Sequence, residues 1–379
     1  MPVTFGTSLP SRGEMAGPEQ LRSVAQRAED LGYDHVWVSD HIILPRKVDS
    51  FYPYAADGVA TFRPDEPYYE PLAALNFIAG CTQRVRLGTH VLIIPYRNPV
   101  LTAKILSTLD VLSGGRVILG AGVGWMEEEF QAMGLDTYKE RGAVTDEYLL
   151  LYKELWTKES PSFNGKYYQI SDSGFEPKPA QKPHPPIWIG GHTGPAIRRA
   201  AKYGDGWMPI GLRPPAILDP EELGGKIARL RKLTVEAGRP EDAVSLTFST
   251  GVVFDDSAGS SREMMHGRPE QIAADLRQYQ DLGVSNFIIN FQGATVPELQ
   301  ENMERFSREV MTLIPDSAAV ARLSSWTPPS HYSVILSEPK DLPIPAYLPS
   351  RRCCILSGPV SLGRFHPSQK GRLAQNDMS

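Results

Sequence analysis

Two rhythms of apolar residues alternate along this chain. Short strand-like runs at 3–8, 35–38, 86–89 and 117–121, the last apolar almost throughout, are each followed by a longer stretch in which apolar residues recur every three or four positions. In 18–31 these are Leu21, Val24, Ala25, Ala28 and Leu31; in 100–112 they are Val100, Ala103, Ile105, Leu106, Leu109 and Leu112. The first rhythm predicts strands covered on both faces, as in a parallel sheet, and the second predicts amphipathic helices. The punctuation agrees. Gly32 follows the first helix, Asn98 stands where it can cap the helix over 100–112, and Ser113-Gly114-Gly115 stops that helix.

The same reading places helices over 70–82, 145–156, 195–203, 220–237, 269–281 and 296–313, and strands over 187–189, 206–208, 244–254 and 286–290. Residues 162–170 read as a small hairpin turning on Asn164-Gly165. About eight strand–helix alternations over roughly 310 residues exceed most open sheets and predict a (β/α)8 TIM barrel with insertions. One insertion, 42–68, loses all periodicity and is rich in Tyr, Pro and Asp, as a lid over an active site would be. The barrel is assigned to 1–316. The extension 317–379 has scattered prolines and no sustained period, and is predicted to be disordered.

Active sites of such barrels lie at the carboxyl ends of the strands. Asp40, His41, His90, the glycine turn 120–124, the loop 190–194 and Asn290 all fall there. The turn Gly120-Ala-Gly-Val-Gly lacks the third glycine of a dinucleotide fingerprint and lies far from the N-terminus, which argues against a Rossmann site. Gly190-Gly191-His192-Thr193-Gly194, just ahead of a helix opening with Pro195, suits a phosphate. His41 either caps or pairs with Asp40, or carries chemistry. Glu127–Glu129 read as a solvated first helical turn, with Glu128 a candidate for the pocket. Arg141 is either a surface charge or a buried partner of Asp146 or Glu129. The lid aromatics Phe51, Tyr52, Tyr54, Phe62, Tyr68 and Tyr69 suit a large apolar substrate.

Composition narrows the partners. The chain has 379 residues, 41% of them apolar, enough for a large core, and a net charge of −5. With no long basic run, that charge argues against nucleic acid and anionic membranes. Cys81, Cys353 and Cys354 form neither a disulfide framework nor a zinc spacing. No apolar run reaches the length of a membrane span and a strand begins within a few residues of Met1, so a cytoplasmic protein is expected.

Four ordered segments, VWVSDHI (36–42), RVRLGTHVLIIPYRNPVLTAKILSTLDVLSGGRVILGAGVGW (84–125), PPIWIGGHTGPAIRRAAKYGDGWMP (185–209) and GRPEQIAADLRQYQDLGVSNFII (267–289), resemble the bacterial luciferase-like monooxygenases. They look most like the coenzyme F420-dependent oxidoreductase branch, over roughly residues 3–314. The resemblance implies a TIM barrel with a flavin or deazaflavin at its top and a hydride passed between the deazaflavin and a small organic substrate. It implies cofactor contacts at Asp40, His41, Thr89, His90, Val91, Gly122, Gly190, Gly191, His192, Thr193 and Gly194. His41 would lie beside the reactive ring as the catalytic group, and the His90–Val91 peptide would be cis. Trp125 and Glu128 would border the substrate. The alternatives are FMN with O2 and a partner reductase, or a flavin-binding barrel without turnover. A homodimer is implied as well. The sequence departs from the sugar-phosphate dehydrogenases of the branch, having Trp125 where they carry a carboxylate and Pro45 where they carry a tryptophan. Lys178, Lys182, Arg198, Arg199 and Lys202 are the cations available for an acidic cofactor tail.

Overall fold

The computed structural model describes residues 2–60 and 62–314; the expected disorder of 317–379 lies outside the described residues. Eight parallel strands close on themselves: β1 (Thr4–Ser8), β2 (His35–Val38), β3 (Arg86–Thr89), β4 (Val117–Gly122), β5 (Ile187–Gly190), β6 (Gly206–Met208), β7 (Ser245–Phe254) and β8 (Asn286–Phe291). Neighbours in sequence pair in order from β1 to β8, and β8 pairs back to β1. The register carries Thr7 opposite Val36 and Val38 opposite Thr89, so the carboxyl ends of the first three strands share one rim.

The strands are mostly buried because both faces are covered, small polar residues such as Thr7, Thr89, Thr247 and Ser249 included. Phe5, Val36, Val38, Leu87, Val117, Leu119, Ile187, Ile189, Phe248, Phe287 and Ile289 pack outward in the main core. Trp37, Ile118, Trp188, Met208 and Ile288 form a separate inner cluster, with Val91 packed against it. Each such burial contributes about 1.5–3 kcal/mol. The inner rings fit because their neighbours are small: a methyl at Gly88 would collide with Trp37, and one at Gly206 with Trp188. The Trp37 indole donates to His35 Nδ1 at 2.6 Å. Burial, then Arg86, hold that imidazole down at about 3, so it stays a neutral acceptor.

The helices are α1 (Pro18–Asp30), α2 (Pro71–Cys81), α3 (Pro99–Leu112), α4 (Glu127–Ala132), α5 (Arg141–Thr157), α6 (Gly194–Tyr203), α7 (Pro220–Glu236), α8 (Pro269–Asp281) and α9 (Val296–Arg305). All but α4 and α5 carry a proline in the first turn, where no amide is needed for the helix. Asn98 accepts from the Leu101 amide at 3.0 Å, as its position suggested.

Three local expectations need correction. Helix α5 begins at Arg141, one turn before 145. The hairpin pairs Asn164 with Gln169, so Asn164 lies in the strand and the loop is longer than two residues. The cause is Glu147, whose carboxylate accepts the amides of Lys166, Tyr167 and Tyr168 and holds the loop from outside. The last helix loses α-geometry after Arg305, passing into a π-turn at Phe306–Val310 and a 3-10 turn at Met311–Leu313. No helix among the described residues is long and apolar enough to cross a membrane.

Candidate active site

At the rim, β2 runs directly into Ser39, Asp40 and His41. Asp40 is buried and turned toward Arg97, which donates to both carboxylate oxygens at 2.7 Å. Asp40 also accepts the Ile93 amide at 2.8 Å, and Arg97 reaches on to Glu70 at 2.8 Å. Burial pushes the Asp40 carboxyl above its ordinary range while Arg97 and the amide pull it back. Its work is to hold the chain around His41.

His41 is buried, with 7% of its surface exposed, and its Nδ1 lies 2.5 Å from Glu129 Oε2. Glu129 is fully buried. Its Oε2 also accepts the Tyr96 hydroxyl at 2.9 Å, and its Oε1 accepts the amides of Ile42 at 2.7 Å and Ile43 at 3.3 Å. Glycine turn 120–124 allows this: Gly124 has φ +81°, its carbonyl is held by Arg141 Nε at 3.1 Å, and α4 then starts beneath the lid. Arg141 is thus a brace for the turn, stacked 4.1 Å from the Tyr138 ring centre, and Arg199 is the partner of Asp146.

Strand β3 ends in a bend. Thr89 Oγ1 donates to the Gly120 carbonyl at 2.8 Å, the His90–Val91 peptide is cis, and Leu92–Ile93 pairs again with Ala121 and Gly122. The bend thrusts Val91 toward the barrel axis. A methyl at either Gly122 or Gly190 would collide with its side chain. Val91 and the loop 190–194 are therefore at the same end of the barrel. The His90 Nε2 is buried without a partner, and burial lowers the ring to about 4.

Across the mouth, loop 190–194 turns at Gly191, φ +89°, its carbonyl taken by the Trp207 indole at 2.8 Å. Thr193 stands at the N-cap of α6 but its side chain makes no capping bond. Arg198, and Arg229 from α7, bring guanidinium nitrogens within 3.5 Å of where a methyl on Gly194 would sit. Neither arginine has a carboxylate partner among the described residues. The Nδ1 of His192 is buried without a partner, and burial, then Lys226, lower that ring from its ordinary value.

The lid closes the other side with rings. Phe62 lies 4.7 Å from His41 between centroids, Tyr68 5.3 Å and Trp125 6.3 Å; Tyr52 sits 5.0 Å from Trp125, and Tyr54 6.2 Å from His192. The lid is tied to α4: Glu128 Oε1 accepts the amides of Asp49 and Ser50 at 2.8 and 3.0 Å, and the Glu127 amide donates to Ser50 Oγ at 3.1 Å.

The candidates at the strand ends thus lie at one rim. Ring contacts of the lid run from His41 and Trp125 through Tyr52 and Tyr54 to His192, and Val91 packs against Gly122 and Gly190, while Thr89 and Asp40 are spent on backbone and Arg97. Glu128 serves the lid segment. Sequence reasoning missed Glu129, hidden in an acidic triplet that reads as a wet helix start, and Arg229, which no local pattern ties to residue 194. Of the five cations first considered for an acidic tail, only Arg198 reaches the loop. Arg199 is bound to Asp146, Lys178 to the Leu155 and Lys158 carbonyls, Lys182 to the Pro179 carbonyl, and Lys202 lies over Tyr203.

The family model described as luciferase-like monooxygenase matches residues 3–266. An uncharacterized protein of Mycobacterium bovis is 37% identical over 216 residues, 57% of this chain and 72% of its own length. An F420-dependent glucose-6-phosphate dehydrogenase of Amycolatopsis mediterranei is 36% identical over 199 residues, 52% of this chain and 54% of that protein. Among solved structures, a monooxygenase of Streptomyces bottropensis superposes with a TM-score of 0.64 at 22% identity, covering 81% of this chain and 98% of that one, a likeness of fold.

Proposed function

This chain belongs to the luciferase-like monooxygenase family of oxidoreductases, and on that premise we propose that it is an F420-dependent oxidoreductase acting on a small organic substrate. The observation that supports this choice best is the open side of the mouth. An uncapped helix start, two arginines without carboxylate partners and an unpartnered His192 suit a ligand with a phosphate and further anionic groups beyond it. The F420-dependent relative points the same way.

The residues present fit such a cofactor. Gly191, His192, Thr193 and Gly194, with Arg198 and Arg229, would hold its phosphate and tail. Val91, backed by Gly122 and Gly190, would support one face of the ring, with His90 Nε2 available to it. When bound, the deazaflavin supplies two-electron hydride chemistry. The chain's part is to orient, to exclude water and to move one proton. His41 would exchange that proton with the substrate, a role typically worth about 10²–10⁴-fold. Phe62, Tyr68, Tyr52 and Trp125 would enclose the substrate in an apolar cage. That cage, with Trp125 in place of a carboxylate, favours an apolar or aromatic substrate over a sugar phosphate.

A second reading keeps the barrel and substitutes FMN, with O2 and reduced flavin from a partner reductase. The water-excluding lid suits it, and the same loop would take the FMN phosphate. Parallel anaerobic titrations with F420 and with FMN separate the two. Tighter binding of F420, with substrate-dependent turnover in the absence of O2, is the expected result. Tighter binding of FMN, with O2 uptake, would replace the proposal by the second reading. Binding with no turnover of reduced cofactor over a substrate panel would leave a non-catalytic carrier.

A further inference from the structure

The proposed reading gives His41 a proton to exchange without saying which ring nitrogen exchanges it or what decides that. Four hydrogen bonds converge on Glu129. The Ile42 and Ile43 amides can only donate, and both meet Oε1. Oε2 is shared by the Tyr96 hydroxyl at 2.9 Å and His41 Nδ1 at 2.5 Å. A carboxylate in this place only accepts, so Nδ1 must donate. His41 Nε2 has no partner among the described residues.

The other groups around the ring do not compete for Nδ1. Asp40 is turned to Arg97 and the Ile93 amide. The Tyr68 hydroxyl is paired with Ser39 Oγ at 2.6 Å. Phe62 and Trp125 present rings, and Arg12 lies over Phe62, 5.8 Å from its centre.

We propose that Glu129 is a positioning residue that fixes His41 with its proton on Nδ1, leaving Nε2 as the atom that exchanges a proton at the barrel mouth. The acidic triplet of α4 is then divided: Glu127 and Glu128 fasten the lid, and Glu129 sets the tautomer. The proton-exchanging role of Nε2 rests on the functional reading above; the tautomer does not.

The isostere Glu129→Gln tests this sharply. The two amides meeting Oε1 require an acceptor there, so the amide oxygen takes that place and the amide NH2 faces His41. An NH2 donates, so Nδ1 must now accept and the proton moves to Nε2. The experiment is a long-range 1H–15N correlation spectrum of the full, cofactor-free chain at a pH where the ring is neutral, with His41 assigned through His41→Gln. Nδ1–H is expected in the wild type and Nε2–H in Glu129→Gln. A wild-type ring protonated on Nε2 would overturn the proposal, as would a tautomer unchanged by Glu129→Gln. If the variant fails to fold, the wild-type spectrum still decides. Turnover then separates the two readings. With the tautomer reversed, kcat is expected to fall at least tenfold with KM changed less than twofold. A reversed tautomer with unchanged kcat would remove His41 from the chemistry while leaving the Glu129 assignment in place.

Discussion

The two sides of the barrel mouth are built on opposite principles. Around His41, the supporting charges are bound, Asp40 to Arg97, Arg97 to Glu70, and Glu129 to four donors at once, while His41 Nε2 is left open. Around Gly194 the groups are left open, with an uncapped helix start, Arg198 and Arg229 without acidic partners, and an orphaned His192 nitrogen. Of these groups only the His192 nitrogen is buried, where an unmade hydrogen bond is costly; Thr193, Arg198 and Arg229 are exposed and free to exchange water for a ligand. The supports of His41 are in place without a ligand, whereas on the proposed reading the Gly194 side would be organised by the cofactor.

The largest effect should come from breaking the satisfied side. Asp40→Ala would leave the Arg97 guanidinium, 14% exposed, facing only the partly exposed Glu70. Removing one member of a buried pair costs about 3–5 kcal/mol, which urea unfolding would register as a lower midpoint at unchanged slope. A loss below 1 kcal/mol would mean that this side is less tightly organised than its hydrogen bonds suggest.

Acid is the next lever. His90 is held neutral down to about 4 by burial, whereas an unfolded histidine takes up its proton near 6.5. The unfolded chain therefore binds more protons between these values, and its relative stability rises as pH falls. The contribution is complete above pH 6.5 and is lost toward pH 4, at up to about 1.4 kcal/mol per pH unit. Unfolding midpoints measured across this range should show a shallower slope in His90→Gln than in the wild type.

His41→Ala should lower turnover at least tenfold with the fold retained, since a positioned proton carrier is worth about 10²–10⁴-fold. Unchanged turnover would move the chemistry elsewhere in the mouth. On the open side, Arg198→Ala with Arg229→Ala should weaken cofactor binding about tenfold and flatten its dependence on salt, with the melting temperature nearly unchanged. A large loss of stability in that double variant would mean that these arginines are structural.

The two sides also differed in how far they could be read in advance. The barrel was legible because short strand-like runs alternate about eight times with helices whose apolar face repeats every three to four residues. Loop 190–194 was legible because glycine, threonine and a first-turn proline mark a helix start with amides to spare. His41 could be placed at the rim from its position after β2. Glu129 could not be recognised, because which of three consecutive glutamates is buried depends on the pose of a six-residue helix against a lid without periodicity. Arg229 was invisible for a related reason: it reaches residue 194 only through the packing of α7 beside α6. The hairpin at 163–170 failed on a long-range carboxylate, Glu147, which overrode the local turn preference.

The contrast between the two sides is tested most directly by amide hydrogen exchange of the full chain with and without F420. Protection should rise strongly over residues 190–198 and change little over residues 127–132, which are already held in place. The reverse pattern, with the α4 segment ordering and loop 190–198 unaffected, would contradict the assignment of one side as ready for chemistry and the other as completed by the cofactor.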